Sequence, residues 1–241
     1  MRMILVGYGK MGKAVEQVAI QRGHHVVHKI DSSNSASLAA ISPKAVDVAI
    51  EFSHPAAAYG NIAQCLAKKI PVISGTTGWL EDKEELYAYC KAQRGTFFYA
   101  SNFSIGMHIF LKVNTLLAKL MDRCPEYEVA LAEEHHLEKK DAPSGTAITL
   151  AEGIIRNIHR KKRWLVAPTQ QEDSLGIWVT RKQDVPGTHV VTYAAPSDTL
   201  EIKHTAHSRE GFALGVVLVA EWIRDKEGIL GMENFLQLDS C

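Results

Sequence analysis

Hydrophobic and polar positions follow two different rhythms along the chain, and the change falls near Phe103. Before it, short apolar runs of strand length are each followed by a stretch with the three-to-four-residue spacing of an amphipathic helix. The segments "MILVG" (3–7), "HVVHKID" (25–31), "VDVAIEFS" (46–53), "PVISGTTG" (71–78) and "TFFYASN" (96–102) form the strand series. Between them, "MGKAVEQVAIQRG" (11–23), "PAAAYGNIAQCLAKK" (55–69) and "EDKEELYAYCKAQRG" (81–95) read as helices. Gly23 ends the first helix; Pro55 opens the second, and Lys68 and Lys69 close it, as backbone geometry and the helix dipole favour. Strands and helices in alternation predict a parallel sheet covered on both faces.

After Phe103 the pattern lengthens. "IGMHIFLKVNTLLAKLMDR" (105–123) predicts a long helix, "YEVALAEEHH" (127–136) a strand and "SGTAITLAEGIIRNIHR" (144–160) another helix. Three strands follow at 174–182, 188–195 and 199–208, separated by "VPG" and "PSD", so this region is antiparallel in character. The last long segment, 211–228, is apolar around most of its circumference and predicts a helix buried on more than one side. "MENFLQL" closes the pattern, and no internal repeat interrupts it.

Composition narrows the function classes. Lys+Arg and Asp+Glu both number 27, so no net field draws the chain to nucleic acid or an anionic membrane. The local basic run "HRKKRW" (159–164) reads as a solvated helix end. No apolar run approaches the ~20 residues of a membrane span. "MRMILVGYG" runs into a glycine turn with no leader-type cleavage site, so a cytoplasmic protein is expected. Cys65, Cys90, Cys124 and Cys241 form no C-x-x-C pair, which argues against a zinc site or a disulfide framework. The adjacent histidines at 24–25 and 135–136 lack H-x-x-x-H spacing, so no metal is expected.

The first candidate chemistry is "VGYGKMG" (6–12), a G-x-G-x-x-G that follows a predicted strand and opens a predicted helix. Gly7 permits the tight turn, Gly9 lets the backbone approach a pyrophosphate, and Gly12 lets the helix pack closely. Asp31 ends the next strand, about twenty residues on, where a carboxylate accepts from a ribose diol. These features imply dinucleotide binding and an α/β chain: a Rossmann-like doubly wound parallel-sheet domain, plus an α+β domain with a mixed or antiparallel sheet. "SGTTGW" (74–79) and "YASNFSIGM" (99–107) also follow strands of that sheet, where such folds place ligand contacts.

The second candidate is "EEHHLEKKDAPSGT" (133–146). Reduction of a C=C or C=N bond by a nicotinamide needs a proton as well as a hydride, and histidine titrates near neutrality. Lys139, Lys140 and the amides of "SGT" at a helix start are suited to substrate carboxylates. On composition alone, a polar loop with a helix cap explains the run equally well.

The run, however, resembles the signature of the bacterial 4-hydroxy-tetrahydrodipicolinate reductases (dihydrodipicolinate reductases), E-x-H-H-x-x-K-x-D-x-P-S-G-T. "GYGKMG" is similar to the family's nucleotide loop, "SGTTGW" to its G-T-T-G loop, "ASNFSIGM" to its N-F-S-x-G segment and "EIKHTAHSREGFALGVVLVAEWI" to its late strand and helix. The resemblance implies that His135 is the proton donor and Lys139 the catalytic lysine, with His136, Gly145 and Thr146 on the substrate's carboxylates. It implies cofactor contacts from Gly7, Tyr8, Gly9, Lys10, Met11, Gly12 and Asp31, and from Gly75, Thr76, Thr77, Ala100, Ser101, Asn102 and Phe103. The implied reaction converts the hydroxylated heterocyclic dicarboxylate to tetrahydrodipicolinate with loss of water, using NADH or NADPH, on the diaminopimelate route to lysine. A homotetramer built through the second sheet is implied as well.

On this reading 1–103 is the dinucleotide-binding domain, 104–211 the substrate and tetramerisation domain, and 212–241 a segment returning to the first. The chain departs from the family in three places. Its glycine loop is one residue shorter than the longer family form, it is short between Asp31 and Val46, and Ser32 stands where an arginine often follows the acidic residue. Asp31 repels a 2′-phosphate and Ser32 offers no guanidinium, with Lys10 and Lys29 as partial offsets, so NADH is expected to be at least as effective as NADPH. The rival readings are another amino-acid dehydrogenase on the same fold and a dinucleotide-sensing module without chemistry.

Overall fold

The structure, a computed structural model, describes residues 1–35, 37–183 and 185–238; Cys241 lies outside the described residues. The chain divides into two compact units, Met1–Ile105 with the chain from Arg209 onward, and Gly106–Ser208.

The first unit begins with β1 (Arg2–Val6), α1 (Lys10–Gln21), β2 (His25–Ile30), α2 (Ser37–Ala40), β3 (Val48–Glu51), α3 (Pro55–Ala67), β4 (Val72–Ser74), α4 (Lys83–Ala92) and β5 (Thr96–Tyr99). The chain returns to it as α7 (Glu210–Trp222), β11 (Gly228–Leu230) and α8 (Met232–Leu236). Six parallel strands lie in the order β11-β5-β4-β3-β1-β2. Met3 to Val6 and Val48 to Ile50 are at most 1% exposed, so both faces of the central strands are covered, one by α1 and α7 and the other by α3 and α4. The strand order reverses between β1 and β3, and the crevice beyond their C-terminal ends is where such sheets take ligands.

One sequence expectation needs correction here. The helix expected over 211–228 stops at Trp222 and passes through a 3-10 turn (Ile223–Asp225). Only its last residue, Gly228, enters β11, an unpredicted edge strand paired in parallel with β5. Burial of α7 is nevertheless broad: Ala213, Gly215, Val216, Val217, Val219 and Ala220 are all covered.

The second unit contains α5 (Ile105–Met121, its first residue in the other unit), β6 (Glu128–His135), α6 (Gly145–Ile155), β7 (Arg163–Val166), β8 (Ser174–Arg181), β9 (Gly187–Ala194) and β10 (Thr199–Ala206). Its sheet, ordered β10-β9-β6-β8-β7, is mixed. β6 runs antiparallel to β9 but parallel to β8, and β7 is also parallel to β8. The sheet is thus the mixed form of the two expected, because α6 forms a crossover that returns the chain to run in the direction of β6.

The basic run 159–164 is not a solvated helix end either. α6 ends at Ile155, and Arg163 and Trp164 open β7. Lys161 is 2% exposed, its ammonium donating to the Glu128 carboxylate and, at 2.8 Å, to the Glu172 carbonyl. Only such partners make a buried ammonium tolerable.

Candidate active site

In the first unit the glycine turn is held by its neighbours. The Gly7 N–H donates to the Ile30 carbonyl at 2.8 Å, and the Phe52 N–H to the Val6 carbonyl at 2.7 Å. Gly7 has φ +99, and a Cβ there would stand 2.0 Å from the Phe52 carbonyl oxygen, so no other residue fits. Gly9 precedes α1, and nothing lies within 4 Å of where its Cβ would be. The first amides of α1 thus border open space, with the positive end of the helix dipole behind them. A groove of about 370 Å³ runs past this turn, lined by Gly7, Tyr8, Gly9, Asp31, Phe52 and His54 among others.

Asp31 sits on the groove with its Oδ1 accepting from the Ser33 N–H at 2.8 Å and the Ser33 hydroxyl at 2.6 Å. Those bonds hold its carboxyl below the ordinary aspartate value. Lys29 is committed elsewhere: its ammonium pairs with Glu16 at 2.6 Å, donates to the Tyr8 hydroxyl at 3.1 Å and lies 4.7 Å from the centre of the Tyr8 ring. Lys10 is exposed, Met11 packs against the sheet core and Gly12 is buried.

The loop after β3, and β4 with its following loop, converge on a residue that sequence reasoning passed over. Glu51, the last residue of β3, is fully buried. Its carboxylate accepts from the Ser53 hydroxyl, from the Ser53 N–H at 3.0 Å, from the Ser74 hydroxyl at 2.6 Å and from the Thr76 hydroxyl at 2.9 Å. Gly75 donates its N–H to the Glu51 carbonyl at 3.0 Å, and Ala100 donates to the Ser74 carbonyl at 3.2 Å. Thr77 and Ser101 are exposed, and Asn102 accepts the Ser104 N–H at 2.8 Å. The Phe103 ring, 2% exposed, packs 5.7 Å from Phe52 and 5.9 Å from Phe98, which makes it a core side chain.

In the second unit the alternation of β6 turns Glu133 and His135 to the covered face, and His136 follows the strand's end. Register then adds two partners that the local run does not reveal. His189 on β9 lies opposite Glu133, and Arg181 on β8 lies opposite His135. The Glu133 carboxylate accepts the Ser144 N–H at 3.1 Å on each oxygen, and Arg181 donates to Oε1 at 3.3 Å through both Nη1 and Nη2. His135 Nε2 lies 3.5 Å and His189 Nε2 3.7 Å from Oε2. The two imidazoles meet edge to face, ring centres 5.1 Å apart.

His135 Nδ1 faces the Pro186 carbonyl at 3.3 Å. A Cβ on Gly187 would come 2.8 Å from the His135 ring, so the glycine makes room for it. Burial pushes the His135 imidazole below its ordinary value, with Glu133 pulling the other way. Burial, followed by the neighbouring His135, takes His189 down to about 4.

Lys139 holds Asp141 at 2.8 Å, while Arg181 donates to the Lys139 carbonyl at 3.3 Å and to the Asp141 carbonyl at 2.6 Å. Ser144 caps α6 by accepting the Ala147 N–H at 3.1 Å. The amides of Gly145 and Thr146, first and second in the helix, have no intrahelical acceptor. His135, Lys139, Gly145 and Thr146 are therefore tied to one another through Glu133, Arg181 and Ser144. His136, half-buried, makes no side-chain contact in that network.

Glu133, His135 and His189 also bring three potential ligand atoms within 4.8 Å of one another, a grouping that sequence spacing did not suggest. Oε1 is engaged by Arg181 and His189 Nε2 by the Ser144 hydroxyl at 3.2 Å, whereas His135 Nε2 and His189 Nδ1 have no hydrogen-bond partner among the described residues. A concavity of about 740 Å³ in this unit lies elsewhere, along Glu128, Arg160, Pro168 and Trp178. It contains none of these groups, and the chemistry of the Glu133 cluster outweighs the size of that hollow.

A parallel sheet with a glycine turn at its switch point, and a second sheet carrying a histidine beside cations and free helix amides, define a dinucleotide-dependent oxidoreductase. Comparison with known proteins supplies the particular family. Residues 1–103 match the family described as dihydrodipicolinate reductase, N-terminus, and 106–236 match dihydrodipicolinate reductase, C-terminus. The 4-hydroxy-tetrahydrodipicolinate reductase of Christiangramia forsetii is 44% identical over 98% of this chain and 98% of its own length. That of Archaeoglobus fulgidus is 33% identical over 95% and 96%. Dipicolinate-bound dihydrodipicolinate reductase from Paenisporosarcina sp. TG-14 shares the fold, with a TM-score of 0.78 at 21% identity over 97% of this chain and 98% of that one. The chain belongs to the dihydrodipicolinate reductase family and is an oxidoreductase, which sets aside both rival readings.

Proposed function

We infer that the chain reduces 4-hydroxy-tetrahydrodipicolinate to tetrahydrodipicolinate, taking up one hydride and one proton and releasing one water, on the diaminopimelate route to lysine. The observation that carries this reading is the grouping of buried His135 with Lys139 and the open N-terminus of α6. His135 supplies the proton. Lys139 assists that transfer and adds positive charge. The Gly145 and Thr146 amides, with His136, take the two carboxylates that such a ring carries.

The groove beside Gly7 and Gly9 fits a dinucleotide: its turn leaves room for a pyrophosphate, and Asp31 offers acceptors to a ribose diol. When bound, the nicotinamide supplies the hydride. Residues 1–103 and 212–241 serve that cofactor, and 104–211 serve the substrate. NADH is at least as effective as NADPH, because Lys29 already spends its charge on Glu16 and leaves Asp31 unopposed. A homotetramer through the second sheet, in the cytoplasm, completes the reading; Val166, Trp178 and Leu200 are 52%, 51% and 43% exposed on that sheet.

The test is NADH consumption in the presence of the condensation product of pyruvate and aspartate semialdehyde. Turnover that needs both components supports the reading, and its absence at high enzyme concentration removes it. A monomeric mass by light scattering at micromolar concentration removes the tetramer.

A further inference from the structure

Glu133 has no place in the reaction as described, yet its side chain is completely buried. An ionised carboxylate in that position needs a donor for each of its lone pairs. Arg181 donates to Oε1 alone and the Ser144 N–H is shared between the two oxygens, which leaves Oε2 facing the two imidazoles.

His135 is the nearer of the two, with its Nε2 at 3.5 Å from Oε2 against 3.7 Å for His189. The Ser144 hydroxyl oxygen accepts the Ala147 N–H, so its own hydrogen is free to be donated to His189 Nε2 at 3.2 Å. His189 Nε2 is then an acceptor and has nothing to give Glu133. His135 is placed differently. Its Nδ1 faces the Pro186 carbonyl and its Nε2 faces Oε2, and both oxygens only accept. A neutral imidazole carries one hydrogen, so one of its nitrogens would set a lone pair against an oxygen lone pair. With a hydrogen on each nitrogen, both contacts become attractive.

We propose that Glu133 is the positioning residue of this site: its carboxylate favours the second hydrogen on His135 and fixes the substrate-binding turn around it. The mechanical half follows from its other partners. The Ser144 N–H that it accepts sets the start of α6, and with it the Gly145 and Thr146 amides. The Arg181 guanidinium that it accepts is the same group that holds the Lys139 and Asp141 carbonyls. One carboxylate thereby sets the proton donor, the lysine loop and the anion-binding amides. The electrostatic half is a balance. Burial, Lys139 and Arg181 all work against charge on His135, and Glu133 and the Pro186 carbonyl work for it. His189 remains neutral beside it.

This rests on the reading of His135 as proton donor, and the experiment separates the two. Glu133→Gln keeps the volume and removes the charge. Its kcat is expected to fall about ten- to a hundredfold, the usual worth of a partner that orients an active histidine. NADH binding, which belongs to the other unit, is expected to be unchanged. Because the donor must be protonated, kcat declines as pH rises through the His135 pKa, and in Glu133→Gln that decline moves to lower pH. NMR titration of the His135 ring without substrate, assigned by comparison with His135→Asn, is expected to move in the same direction.

A folded Glu133→Gln protein with an unchanged His135 titration overturns the proposal, whether kcat has fallen or not. If the wild-type protein shows no turnover, the functional reading falls, and the titration still decides: a shift supports the positioning role, and no shift overturns it. Should Glu133→Gln fail to fold, Glu133→Asp withdraws the charge by one methylene. It is expected to show the same shift in smaller measure, and an unchanged titration there is equally fatal.

Discussion

Each unit carries a buried glutamate on an inner strand, and the two are satisfied in opposite ways. Glu51 on β3 receives three hydroxyls and one N–H, all neutral. Glu133 on β6 receives a guanidinium and one N–H and faces an imidazole. Hydroxyls rotate, so the partners of Glu51 can turn from donors to acceptors when the carboxylate changes. A guanidinium cannot do that. The first arrangement is suited to holding loops still around a bound molecule. The second is suited to controlling where a proton resides.

The comparison can be broken most severely at the proton site. His135→Ala and Lys139→Ala are each expected to lower kcat by ~10²–10⁴, the worth of a placed general acid, while NADH affinity survives in the other unit. Steady-state kinetics with a fluorescence titration of NADH decide it. Near-wild-type kcat in both folded variants would falsify the assignment of chemistry to the second sheet. His136→Ala is instead expected to raise the substrate KM more than it lowers kcat.

A second test concerns stability rather than rate. His189 has a folded pKa of about 4, below the ordinary histidine value of ~6.5. Between those values the unfolded chain binds the proton that the folded chain refuses, so stability falls as pH drops from about 6.5 to about 4. The loss from this group is roughly 3 kcal/mol. Urea melts of wild type and His189→Gln at pH 7 and pH 4.5 measure it. The gap between the two proteins should shrink or reverse at the lower pH, and a pH-independent gap counts against neutral burial of His189.

A third, smaller effect is expected at Glu51. In Glu51→Gln the Ser74 and Thr76 hydroxyls can reorient, and the Ser53 N–H keeps the amide oxygen. The expected cost is about 1–3 kcal/mol of stability with some weakening of NADH binding and little change in kcat. A loss in kcat as large as that of Glu133→Gln would erase the distinction between the two carboxylates. The smallest effect is cofactor choice: kcat/KM for NADH should equal or exceed that for NADPH, and Lys29→Ala should shift the ratio little. A tenfold preference for NADPH, worth about 1.4 kcal/mol, would show that Asp31 does not govern it.

Local patterns in the sequence were enough for much of this. The glycine turn, Asp31 and the first five strands are features of a few consecutive residues, and "EEHHLEKKDAPSGT" displays its cap and cations in order. What was hidden depends on pairing across the sheet. His189 and Arg181 become partners of Glu133 and His135 only through the registers of β9 and β8, which a single chain does not spell out. β7 was hidden because four residues beginning with arginine look like the end of a charged helix, and the burial of Lys161 depends on the distant Glu128. β11 was hidden because "GIL" is too short to display a period.

That last strand also bears on how the protein comes off the ribosome. The N-terminal five strands of the first unit emerge early, but α7, which covers one face of their sheet, and β11, which occupies its edge beside β5, are translated only after the whole second unit. Until then Phe98 and Phe103 lack the cover of Val216, Val219 and Trp222, and β5 presents an unpaired edge. Folding of the first unit must wait for the tail of its own chain, and a nascent polypeptide stalled before Arg209 carries a sticky half-built sheet of the kind that chaperones bind.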